Sequence, residues 1–130
     1  MRRPPPAAAV FACLLAGCGG DDEQPAEGRA LTVQADRGVR IVAREYSFDP
    51  AEVVVTGGGG RLRITLDNRG SLAHNAKLER DGRVVGGSPT FQGGQARSGS
   101  VRLPPGRYRL VCTVGNHAQL GMEGELEVRR

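Results

Sequence analysis

The stretch "LPPGRYRLVCTVGNHAQLGMEGELEV", Leu103 to Val128, decides the fold. Tyr108, Leu110 and Cys112 alternate with Arg107 and Arg109, and Leu126 and Val128 alternate with Glu125 and Glu127. A period of two predicts two half-buried strands joined by the Gly-containing loop Cys112–Met122. The same pattern extends upstream, where Leu62, Ile64 and Leu66 alternate with Arg61, Arg63 and Thr65, and Val101 and Leu103 flank Arg102. Turn signals separate the runs: Asp49-Pro50, Gly57 to Gly60, Asn68-Arg69-Gly70, Asp81-Gly82 and Pro104-Pro105-Gly106. The glycines at 57–60 are not followed by Lys-Ser/Thr, which favours a hairpin loop over a phosphate-binding loop. With no amphipathic helix, the expectation is an all-β Greek-key β-sandwich or barrel of about seven to eight strands.

The chain has 130 residues, 25% charged and 38% hydrophobic, with 20 Gly, 8 Pro and no Trp. That suits one turn-rich domain with a single core. Charges of both signs are interspersed, so a nucleic-acid partner is not expected. The opening "MRRPPPAAAVFACLLAGC" combines two arginines, a short apolar run and small residues, which predicts a signal peptide over 1–17. Leu15-Ala16-Gly17-Cys18 resembles a bacterial lipobox, which implies lipidation of Cys18. The polar stretch that follows reads as a flexible tether over 18–37, leaving the folded domain at 38–130. The expected location is outside the cytoplasmic membrane, lipid-anchored to its outer face or in the periplasm. Removing Arg2 and Arg3 lowers the formal charge from +4 to +2, which says little about partners.

The chain holds three Cys, two His and two Met. With Cys13 in the leader and Cys18 lipidated, Cys112 is the only thiol of the exported domain, and no intrachain disulfide is open to it. Cys112 shares inward parity with Tyr108 and Leu110. His74 shares parity with Ala76 and Leu78, while Asn75, Lys77 and Glu79 alternate outward. Two strands thus deliver a thiol and an imidazole to one end of the sandwich, and the loop adds His117 and Met122. One thiolate, two imidazoles and a thioether lack the carboxylates that calcium and magnesium demand. His₂Cys with a weak axial Met is the donor set of blue-copper centres. Zinc gains nothing from the thioether. A Cys-His hydrolase needs an open cleft, which an inward thiol does not supply. A dinuclear copper centre needs a second Cys in the loop, and further copper sites need more His. No enzyme is expected.

Over about residues 38–130 the sequence resembles the cupredoxins, the family of plastocyanin, azurin and auracyanin. "YSFDPAEVVV" resembles the early strands, "SLAHNAKLE" the strand bearing the first ligand, and the stretch quoted first the hairpin bearing the other three. The resemblance implies one copper ion with His74, Cys112 and His117 as equatorial ligands and Met122 as the axial one. It also implies that Asn75 and Thr113 tie the two ligand-bearing segments together. Many relatives carry Pro between Cys and His, where this chain has Thr113-Val114-Gly115-Asn116, and Ala73 stands where azurin has Gly. The implied function is a monomeric type 1 copper carrier cycling between Cu(II) and Cu(I). Its electron would leave through His117 to a cytochrome or terminal oxidase docked on Leu72, Ala73, Ala118, Leu120 and Gly121. The alternative is copper capture or delivery, or a role in metal uptake.

Overall fold

Where alternation is clearest in the sequence, the computed structural model, which describes residues 30–130, forms its longer strands. The order is β1 (Leu31–Gln34), a 3₁₀ turn (Ala35–Arg37), β2 (Val39–Arg44), β3 (Ser47–Asp49), β4 (Glu52–Thr56), β5 (Arg61–Asn68), β6 (Lys77–Arg80), β7 (Arg83–Gly87), β8 (Gln95–Arg102), β9 (Gly106–Val111) and β10 (Glu123–Val128). They build two mixed sheets, β1-β4-β10-β9-β6-β7 and β3-β2-β5-β8, packed as an all-β sandwich. The ten strands exceed the seven or eight expected because several run for only three or four residues, too short for period two to be legible.

The expected alternation sets the core. In β5, Leu62, Ile64 and Leu66 are buried and Arg61 and Arg63 are exposed. Parallel pairing of β2 with β5 places Val39 beside Ile64 and Ile41 beside Leu66. On the facing sheet, Leu126 of β10 lies between Val53 of β4 and Tyr108 of β9. All of these side chains are buried, so the two inner faces meet in one apolar layer. The Tyr108 hydroxyl, which burial would otherwise strand, donates to the Pro104 carbonyl at 2.5 Å and accepts from Arg80.

The domain boundary expected at residue 38 is corrected. Leu31–Gln34, assigned above to the tether, pairs in parallel with Val53–Thr56 and forms the edge of the six-stranded sheet. Leu31 and Val33 give this segment the apolar alternation that the acidic stretch before it lacks. The expected leader over 1–17, Cys18 and the remaining tether lie outside the described residues. No helix among the described residues is long and apolar enough to cross a membrane.

Candidate metal centre

The loop after β9 is closed at its neck by the strand ladder itself. The Cys112 amide donates to the Met122 carbonyl at 3.1 Å, one step beyond the Val111–Glu123 pair. Inside this neck the chain winds in tight turns. His117 donates to Val114 O at 3.0 Å, and the amides of Leu120 (3.2 Å) and Met122 (3.0 Å) both donate to His117 O. Gly121, at φ +107°, makes the reversal that returns the chain to β10. Val111, Cys112, His117 and Met122 are all buried. Expected parity therefore holds for Cys112, and the turns fold His117 back over it.

His74 arrives from the connection between β5 and β6. It is held by an isolated antiparallel bridge to Phe91, with N–H···O bonds of 3.2 and 3.1 Å in both directions. Asn68, at the end of β5, is fully buried and organises this connection. Its amide nitrogen donates to Leu72 O and Phe91 O, each at 3.0 Å, and its oxygen accepts from Gly70 N.

The three side chains converge. His74 Nδ1 and His117 Nδ1 lie 3.2 Å apart, and Cys112 Sγ lies 3.9 Å from the first and 3.6 Å from the second. A point equidistant from these three atoms is about 2.1 Å from each, within the bond lengths that nitrogen and sulfur donors adopt around a first-row metal ion. The residues are 0% (His74), 1% (Cys112) and 7% (His117) exposed. The group therefore has both the spacing and the donor chemistry to hold a metal ion. The fully buried Met122 lies next to it through the backbone contacts with Cys112 and His117.

Two supports surround the triangle. Asn75 Nδ2 donates to Thr113 Oγ1 and Thr90 Oγ1, while Asn75 Oδ1 accepts from Thr113 N, all at 2.9 Å. Asn75 is buried rather than outward as its parity suggested. Residues 74–76 lie outside any continuous ladder, and Thr90 and Thr113 close over the side chain. The second support is Glu45, between β2 and β3, which the sequence reading missed. Its Oε1 accepts from His74 Nε2 at 3.0 Å and from Leu72 N at 2.8 Å. The Leu72 amide, and then the His74 imidazole, hold the Glu45 carboxyl below its ordinary pKa against partial desolvation. Nothing local marks this residue, because its partner lies 29 positions downstream. The neighbouring Tyr46 ring lies 4.9 Å from that of His117, at a tilt of 59°.

No protein-family model matches the chain, and no curated protein matches it. Solved structures do. Auracyanin from Roseiflexus castenholzii is 19% identical with a TM-score of 0.62, over 78% of this chain and 98% of that one. Auracyanin A, a "blue" copper protein from Chloroflexus aurantiacus, is 21% identical with a TM-score of 0.60, over 75% and 98%. The azurin Az-iso2 from Methylomonas sp. strain J is 14% identical with a TM-score of 0.61, over 78% and 100%. At such identities the likeness speaks to architecture, and the architecture of this chain is the cupredoxin fold.

Proposed function

We propose that the protein is a type 1 copper electron carrier, exported and anchored outside the cytoplasmic membrane. The observation that carries this reading is the buried triangle of two imidazole nitrogens and one cysteine sulfur, spaced for a single ion. His74, Cys112 and His117 would hold the copper, with Met122 as the weak axial donor. The bound ion would supply a one-electron Cu(II)/Cu(I) couple. The chain's own part is to keep the donors in place while charge changes. His74 is fixed by the Phe91 bridge and Glu45, and Cys112 and His117 by the closed loop. A frame that need not rearrange speeds electron exchange.

Burial of all three donors favours retention over release, and so a carrier over copper delivery or uptake. His117 is the most exposed of the three donors, and Leu72 and Leu120 are exposed apolar side chains. With Ala73, Ala118 and Gly121 they would form the neutral patch on which a cytochrome or terminal oxidase docks in a transient complex. Anchoring rests on the lipobox-like Leu15–Cys18.

Copper reconstitution of the full chain, followed by visible absorption and electron paramagnetic resonance, tests the assignment. A thiolate-to-copper charge-transfer band with a type 1 spectrum is expected, and its absence rejects the reading. Stopped-flow electron exchange with a cytochrome, run beside copper transfer to an apo-acceptor, separates carrier from delivery protein. Slow electrons with ready copper loss defeat the carrier.

A further inference from the structure

We propose that Glu45 is a positioning residue of this centre. Its carboxylate fixes the tautomer of His74, and its negative charge biases the site toward the more highly charged metal state.

An ionised carboxylate only accepts hydrogen bonds, so the 3.0 Å contact with Glu45 requires His74 Nε2 to carry the proton. In a neutral imidazole that leaves the lone pair on Nδ1, the atom that faces Cys112 Sγ and His117 Nδ1. The carboxylate is itself anchored, because the same Oε1 takes the Leu72 amide at 2.8 Å. Gly70 makes room for it: a Cβ there would come within 2.4 Å of Glu45 Oε1, so a side chain at this position would require the carboxylate to shift. The Asn68 side chain holds both flanks of that segment, at Gly70 N and Leu72 O. Several buried or backbone groups thus converge on placing one carboxylate against one ring nitrogen. Among the described residues, the other candidate ligand imidazole has no such carboxylate partner. The charge acts through the ring. A carboxylate on Nε2–H makes the imidazole a stronger donor at Nδ1, and a stronger donor favours the divalent ion over the monovalent one.

The effect on the metal couple rests on the copper reading, whereas the tautomer does not. The test therefore has two arms, on the full chain and its Glu45→Gln and Glu45→Ala variants, each checked for folding by circular dichroism. The first arm is nitrogen-15 NMR of the metal-free protein above the imidazole titration range. Wild type is expected to show His74 as a single Nε2–H tautomer. Glu45→Gln should retain it, since an amide oxygen still accepts, and Glu45→Ala should show a mixture. The second arm compares Cu(II) and Cu(I) affinities and the reduction potential. Glu45→Gln should lose about tenfold in Cu(II) over Cu(I) preference, a rise of about 59 mV for a one-electron couple. Glu45→Ala should lose about 10–100-fold in Cu(II) affinity. Unchanged tautomer and potential in a folded Glu45→Ala variant, or in Glu45→Gln a lost tautomer with unchanged potential, would overturn the proposal. A wild-type protein that binds no type 1 copper but shows the fixed tautomer would reject the copper reading and leave the positioning role standing.

Discussion

Cys112 is a core residue and, on the proposed function, also a ligand, and the two roles separate on substitution. It is 1% exposed and lies against the Nδ1 atoms of His74 and His117. Serine is close in size, and its hydroxyl would meet two imidazole nitrogens able to satisfy it. Cys112→Ser should therefore cost the metal-free protein only about 1 kcal/mol in urea unfolding, while abolishing the visible band after copper addition. Met122 poses the complementary case. Leucine conserves its volume, so Met122→Leu should cost less than about 1.5 kcal/mol. Losing a weak thioether donor destabilises Cu(II) more than Cu(I), so the band should persist and the potential rise in voltammetry. The convergence of Cys112 and His117 with His74 was legible in the sequence because the first two share one loop between two clearly alternating strands and His74 has matching parity. Glu45 and Asn68 were not. Each acts through partners that only the folded chain brings near, and each reads locally as an ordinary acidic or turn residue.

Between elements, the clamp formed by Asn75 and Thr113 joins the β5–β6 connection to the segment leaving β9. Asn75→Ala leaves the Thr113 N–H without its side-chain acceptor and removes hydrogen bonds to two hydroxyls. The expected loss is about 1–3 kcal/mol, read by denaturant unfolding of the metal-free protein, together with a broadened copper spectrum. Elsewhere on β5, burial pushes the Asp67 carboxyl upward, but hydrogen bonds from Arg40 (2.7 Å) and Arg69 (2.8 Å) outweigh it and leave its pKa below the ordinary value. A depressed folded-state pKa stabilises the fold above the unfolded value of about 3.9 and loses that contribution as pH falls through it toward the folded value. Unfolding followed between about pH 6 and pH 2 should show a steeper acid loss in wild type than in Asp67→Asn. Strand legibility followed length and continuity. The alternation of β5, β9 and β10 was plain, whereas β1 and β3, at four and three residues, carry too few periods. The outward reading of Asn75 failed because parity holds only inside a continuous ladder.

Across the whole molecule, the candidate metal centre lies where three separate connections meet at one end of the sandwich: the β2–β3 turn with Glu45, the β5–β6 connection with His74, and the β9–β10 loop with Cys112, His117 and Met122. An ion bound there ties the two sheets together, so metal binding and folding stability are linked. A ligand specific to the folded state adds about 2.7 kcal/mol at a concentration 100 times its dissociation constant. Binding by the unfolded chain subtracts from that gain. Cys112, His117 and Met122 are close in sequence and remain a local three-donor group when the domain unfolds. His74, 38 positions before Cys112, joins them only on folding. The folded state's advantage in affinity therefore comes largely through His74. Copper should raise the melting temperature of wild type, and a chelator should reverse the rise. In His74→Ala, copper should still bind, measured by direct titration, while the rise in melting temperature falls to a small fraction of the wild-type value. An equal rise in both proteins would mean that the loop alone discriminates folded from unfolded chain, and that the long-range ligand contributes nothing to the link.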